Sequence, residues 1–164
     1  AMVDEKTIFF HWDYLDDTIE RGDASGPRGS SVYVLRVEPD ADPAETLTGF
    51  CIGLLRLLTA EQGVALNRAA MNSPELASIL LASGRHRVGP IVEEYLKRLH
   101  DRGVITVDDP ADAFTLLYGL AIRDLQIRVL LGEDAPADRT VGHQATTAVQ
   151  TFLTLMAPQS DLSG

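Results

Sequence analysis

With 164 residues, 45% of them hydrophobic, the chain can bury one sizeable core and is too short for a second large domain. Its 24 acidic against 14 basic residues give a formal charge of −10, which argues against binding to nucleic acid, where Lys and Arg must neutralise phosphates. Cys51 is the single cysteine, so an intrachain disulfide and a cysteine zinc cluster are excluded and a reducing, cytoplasmic setting is expected. No apolar run approaches the ~18 residues of a membrane span, and the acidic start lacks the features of a signal peptide.

In chain order, the first feature is MVDEKTIFFHWDYLDD, Met2 to Asp17, where Phe9, Phe10, Trp12 and Tyr14 stand among acidic residues. By itself this run is open among the start of a core helix, an interface patch and the remnant of something longer. Gly22 to Ser31 is a polar loop rich in Gly and Ser. The VYVLRVE that follows (Val32 to Glu38) alternates like a strand, but no partner strand is evident, and residues 22–42 are expected to form an irregular or helical linker.

From Asp42 onward the pattern is helical. Asp42-Pro43-Ala44-Glu45 offers an N-cap, a proline at the first helical position and a glutamate at the third; Leu47, Phe50, Cys51, Leu54, Leu55 and Leu58 then keep i, i+3, i+4 spacing, which predicts a helix over 43–58. Thr59 with Gln62 starts a short helix to about Met71. Ser73-Pro74-Glu75 starts another that ends near Gly84. A longer amphipathic helix, about 86–102, carries Val88, Ile91, Val92, Tyr95, Leu96 and Leu99 on one face and stops at Gly103. Asp109-Pro110-Ala111-Asp112 caps a helix of about 22 residues reaching Gly132, with Phe114, Leu117, Ala121, Leu125 and Val129 on its stripe. A last helix, about 137–156, spaces Val141, Ala145, Ala148, Phe152 and Met156 in the same way, and 158–164 is expected to be a disordered tail.

Catalytic constellations are missing. None of the glutamates has a histidine three residues on, as a di-iron helical bundle would require, and His86 and His100 are separated by roughly 21 Å along their helix, too far for a shared ion. There is no phosphate-cradling glycine loop, no Gly-x-Ser-x-Gly elbow and no Cys-His pair in a nucleophile context. Arg21-Gly22-Asp23 is a chance tripeptide. No enzyme, metal or cofactor is expected.

Taken together, PEL (Pro74 to Leu76), DRGVITVDDPADA (Asp101 to Ala113), GLAIRDLQIRVLLG (Gly119 to Gly132) and AVQTFLTLM (Ala148 to Met156) resemble, in order and spacing, the ligand-binding and dimerisation domain of TetR-family transcriptional regulators. The resemblance implies an all-α fold at 43–157, a TetR-type C-terminal helical bundle that dimerises by packing its last two long helices against their mates as a four-helix bundle. Phe114, Leu117, Ala121, Leu125, Val141, Ala145, Ala148 and Phe152 would serve that interface, or only line the domain's own core. The earlier helices would enclose a site for a small hydrophobic effector, for which Phe50, Cys51, Leu54, Met71, Tyr95, Tyr118 and Arg123 are the candidates.

The opening run is similar to the end of the family's helix-turn-helix. Met2 to Trp12 follows its Gly-Val-Ser-x-x-Thr-Leu-Tyr-x-His-Phe pattern, so 2–21 is expected to be a remnant holding the recognition helix and the start of the connecting helix, without the two helices that seat it. Lys6, Thr7, Phe9 and His11 would be its DNA-facing residues, inactive because Phe9 replaces a tyrosine hydroxyl and Asp13, Asp16 and Asp17 repel phosphates. Phe9, Phe10 and Trp12 would then need another surface to cover them.

The expected protein is a TetR-type regulator domain that binds an effector and dimerises, with DNA binding absent or impaired in this chain. Pairing with a full-length TetR relative would make it an antirepressor. The alternative is the effector domain of an ordinary DNA-binding repressor whose N-terminal helices are missing from this chain. A small enzyme or carrier using the apolar site alone comes third.

Overall fold

The computed structural model describes residues 42–159 in full, and the backbone alone of 6–10 and 33–37. Residues 43–155 form seven helices: α1 (Pro43–Thr59), α2 (Glu61–Ala70), α3 (Pro74–Ser83), α4 (Arg85–Asp101), α5 (Pro110–Ile122), α6 (Leu125–Leu130) and α7 (Asp138–Leu155). Three of the expected starts are seen in atomic detail. Asp42 accepts a hydrogen bond from the Ala44 amide, Ser73 from that of Leu76 and Asp109 from that of Ala111, each ahead of a proline at the helix start.

α1 is the centre of the bundle and touches α2, α5, α6 and α7. Leu47, Phe50, Cys51, Leu54, Leu55 and Leu58, the spaced residues of its sequence, are all buried, and Leu57 joins them because neighbours cover the helix on several sides. Thr59 does not cap the next helix as expected. It is buried and donates its hydroxyl back to the Leu55 carbonyl, so α2 starts at Glu61, after Ala60 in an extended conformation. The turn is tight, and a Cβ on Gly63 would collide with the carbonyl oxygen of Leu57.

α4 ends in a Schellman-type cap. Gly103 takes φ +74° and the Val104 amide reaches the Leu99 carbonyl, satisfying a group that the helix end leaves open. The following loop is held from two sides: the Thr106 amide donates to the Met156 carbonyl, and the Val107 amide to His100 Nδ1. Ile105 and Val107 are thereby buried in the core beside α7.

The 22-residue helix expected over 110–132 is two helices. The chain breaks at Arg123 (φ +50°, ψ −127°) and Asp124 (φ −98°, ψ 0°), the angles of the two central residues of a type II′ turn. Periodicity missed the break because the apolar stripe continues across it: Leu117, Ala121, Leu125 and Val129 are all buried. Gln144 of α7 completes the joint by donating to the carbonyls of Ala121 and Ile122, the last of α5.

Residues 6–10 and 33–37 correct the reading of the N-terminal region. Lys6–Phe10 (β1) and Tyr33–Val37 (β2) form a two-stranded antiparallel ladder, with Lys6 opposite Val37 and Phe10 opposite Tyr33, and β2 lies against α1. The alternation of VYVLRVE was a strand signal, and its partner is the segment expected to be a recognition helix. Thr7, Ile8, Phe9 and Phe10 are β-branched or aromatic and favour a pleated strand. Lys6, Thr7 and Phe9 are therefore strand residues. His11, the remainder of 2–21 and the tail beyond Gln159 lie outside the described residues.

Candidate functional site

The residues proposed as effector contacts separate into groups. Phe50, Cys51 and Leu54 are core residues of α1, 2%, 0% and 5% exposed. Burial raises the Cys51 thiol from 9.0 to about 12, which keeps it protonated and unreactive near neutral pH. Tyr95 is half-buried on α4. Desolvation raises its hydroxyl, while a hydrogen bond with Thr46 and the nearby charges of Arg102 and Arg98 act in the opposite sense. Met71 and Arg123 belong to neither group: Met71 is 64% exposed at the end of α2, and Arg123 is exposed at the α5–α6 break, where its backbone rather than its side chain is the notable feature.

Phe50 and Tyr118 meet around a third ring. Phe114 lies 6.4 Å from Phe50 and 5.9 Å from Tyr118, both pairs tilted, within the range of favourable edge-to-face contact. The rings come together because α4 and α5 pack closely at Gly89, where a Cβ would stand 3.3 Å from the Phe114 ring. Arg85, the first residue of α4, covers this cluster. Its guanidinium carbon is 4.5 Å from the centre of the Tyr118 ring and 5.9 Å from that of Phe114, and it hydrogen-bonds the Tyr118 hydroxyl. Burial raises the Tyr118 hydroxyl, and the charge and hydrogen bond of Arg85 oppose that rise.

Sequence reasoning missed Arg85, although a signal was present. Arg85 precedes Val88 by three residues and Gly89 by four, so it continues the buried stripe of α4 one turn toward the N-terminus. An arginine there has its stem inside and its charge at the rim.

α3 forms the wall ahead of Arg85, joined to it through Gly84. Its sequence PELASILLAS is mostly apolar, yet none of its residues is buried, and Ile79 and Leu81 are 44% and 48% exposed. It touches α2 and α4 only lightly compared with the packing of α1 on α7. Elsewhere, an open cleft of about 670 Å³ lies where the loop after α4 meets the end of α7, with Asp108, Asp109 and Asp112 beside Leu116 and Leu155. No group of three metal-ligating side chains occurs among the described residues.

The eight stripe residues of the last helices face inward. Phe114, Leu117, Ala121, Leu125, Val141, Ala145, Ala148 and Phe152 are all 5% exposed or less within a single chain, so the structure assigns them to the domain's own core and leaves them no surface for a second chain. The opposite faces of the same helices are uncharged beyond their first turns, which hold the exposed Asp112 and Arg139: Thr115, Leu116, Gly119 and Leu120 on α5, and His143, Thr146, Thr147, Gln150, Thr151 and Thr154 on α7. No single described helix is long and apolar enough to cross a membrane.

The family model of the AefR-like transcriptional repressor C-terminal domain matches residues 45–157. No curated protein matches the chain. Among solved structures, a TetR transcriptional regulator from Agrobacterium tumefaciens is 33% identical, with a TM-score of 0.63 over 71% of this chain and 61% of its own. A putative TetR-family regulator from Mesorhizobium loti is 19% identical, with a TM-score of 0.65 over 73% of this chain and 62% of its own. The flavonoid-responsive regulator FrrA is 21% identical, with a TM-score of 0.64 over 71% of this chain and 62% of its own. This chain thus spans less than two thirds of the length of each. The seven-helix order, the capped Asp-Pro helix starts and the domain match at 45–157 agree, and the chain belongs to the TetR family of transcriptional regulators.

Proposed function

We propose that residues 43–157 form the effector-binding and dimerisation domain of a transcriptional regulator, acting in gene control rather than as an enzyme. The observation that carries the effector half is the aromatic cluster of Phe50, Phe114 and Tyr118, rimmed by one cation and flanked by the loosely packed apolar α3. Such a site suits a small, largely apolar molecule with one polar group. A neighbour's printed name, flavonoid-responsive, is in keeping with an aromatic effector here.

The dimer half rests on the outer faces of α5 and α7, which are uncharged beyond their first turns. In a chain of net charge −10, two adjacent helices that beyond their first turns present threonine, glycine, leucine and glutamine without a formal charge have the composition of an interface centre. The four-helix bundle expected of the family then uses these outer residues, with the inner stripes as its support. A two-fold arrangement would bury about 800 Å² per chain if it is of standard size. Native mass spectrometry of the wild type and of Thr147→Glu tests it: a dimer that the glutamate converts to monomer supports the interface, and a wild-type monomer at micromolar concentration removes it.

DNA binding is absent or weak in this chain on the same reading, because its charge opposes phosphate contact. Pairing with a full-length relative would then poison an operator complex that needs two readers. The effector domain of an ordinary repressor is favoured instead by one observation, that the chain spans only 61–62% of its structural neighbours. Mixing the chain with a full-length relative and following operator retention by gel shift separates the two, since only an antirepressor releases the operator.

A further inference from the structure

We infer that α2 and α3 together, residues 61–83, form a flap that opens from the bundle as one unit, and that Arg68 is its latch on the end of α6. The inference stands apart from the effector and dimer readings, since it concerns how one part of the domain is fastened to the rest.

The segment is thinly packed. Gly63, Val64 and Ala70 are the buried residues of α2 and α3 has none, whereas α1 buries nine residues and α7 five. Val64 is the one residue of the segment in the apolar core, and the partly buried hydrophobics that pack against that core all come from other parts of the domain. Opening such a segment exposes little new apolar surface, so it costs less than unfolding the bundle. Its two ends lie outside helical angles: Ala60 is extended at φ −65°, ψ 146°, and Gly84 takes φ −95°, ψ −99°. The joint inside the segment is bonded instead. The amides of Asn72 and Ser73 donate to the carbonyls of Ala69 and Ala70, and the Ser73 hydroxyl oxygen accepts from the Leu76 amide, so α2 and α3 move together sooner than apart.

Arg68 fastens this segment to a distant part of the chain. From α2 its Nε donates to the Leu130 carbonyl at 2.9 Å and its Nη2 to the Val129 carbonyl at 3.2 Å, 62 and 61 residues away in sequence. Among the described residues, no other side-chain hydrogen bond or ion pair joins 61–83 to another helix. The acceptors are the carbonyls at the end of α6, which lack partners within the helix and carry its negative dipole end, so a guanidinium fork matches them in shape and in sign. A lysine would keep the charge and lose the fork. Latched and free arrangements that differ by so few contacts give a ligand or partner an equilibrium to bias.

Hydrogen–deuterium exchange of the full chain, read by mass spectrometry of its peptides, tests both halves. In the wild type the slowest amides of α2 and of α3 should share one opening rate, faster than that of the slowest amides in α1, α5 and α7. Arg68→Gln should speed exchange about fivefold in α2 and α3 alike and leave α1, α5 and α7 unchanged, with Arg68→Lys in between. Equal acceleration in all helices would make Arg68 a contributor to global stability and overturn the latch, as would no acceleration at all. Acceleration confined to α2 or to α3 overturns the single unit. Should Arg68→Gln fail to fold, the wild type and Arg68→Lys decide: amides of α2 and α3 as slow as those of α1 sink the flap, and a lysine variant that exchanges like the wild type sinks the latch.

Discussion

Gln144 on α7 donates its side-chain amide to the carbonyl oxygen of Ala121, 2.7 Å away, and also reaches that of Ile122 at 3.3 Å. Both carbonyls belong to the last turn of α5, where the break at Arg123 ends the helix. One side chain from a neighbouring helix thus replaces bonds that an unbroken helix would have made for itself.

Replacing Gln144 by Ala should therefore destabilise the domain by about 1–3 kcal/mol, because two partly buried acceptors lose their donor. Urea melts followed by circular dichroism measure this. A change within error would show that water caps the break equally well.

Arg123 itself holds φ +50° with ψ −127°, a region that glycine occupies without strain and arginine does not. Arg123→Gly should raise stability by about 1 kcal/mol, the low end of the range for such backbone strain, since the relief exceeds the glycine's added freedom in the unfolded chain. A lower denaturation midpoint in the variant would argue that the exposed side chain contributes contacts that outweigh the strain.

Gly63→Ala makes the opposite prediction. The new methyl would collide with the Leu57 backbone carbonyl at the turn between α1 and α2, and the helices would have to move apart, costing about 1–3 kcal/mol. Gly142→Ala is the control, with open space around its Cβ, and should leave the melting temperature unchanged or slightly higher.

Cys51 should resist alkylation in the folded protein at pH 8 and label only as fast as the chain opens, since it is fully buried and its thiol is held up to about 12. The same shift sets a pH dependence. The unfolded chain loses this proton above 9.0 while the folded one retains it, so fewer protons are bound in the unfolded state and stability falls as pH rises from 9 toward 12. The slope from this group is about 1.4 kcal/mol per pH unit, and Cys51→Ala should remove it.

Amide hydrogen exchange should be fastest within α3 among the helices of ten residues or more. None of its residues is buried, so opening it exposes little new surface. Binding of a small apolar effector should slow exchange there if α3 is a wall of the occupied site, whereas protection confined to α7 would place the ligand elsewhere.

Local information was enough for most helices of this protein. The caps at Asp42, Ser73 and Asp109, the stop at Gly103 and the stripes of α1, α4 and α7 act over three or four residues, and the sequence displays them directly. What tertiary structure decided are matters of which surface meets which. The stripe on 114–129 looks continuous, yet Gln144, distant in sequence, lets the chain break inside it. The alternation at 33–37 lacked a meaning until 6–10 supplied the second strand. Periodicity identified an apolar face on each long helix but could not say whether the covering chain was its own or a second copy, because both satisfy the same hydrophobic demand. Arg85 shows the same limit at a single residue: its position on the inner stripe was legible, and only the packing of α4 on α5 placed its charge over Tyr118.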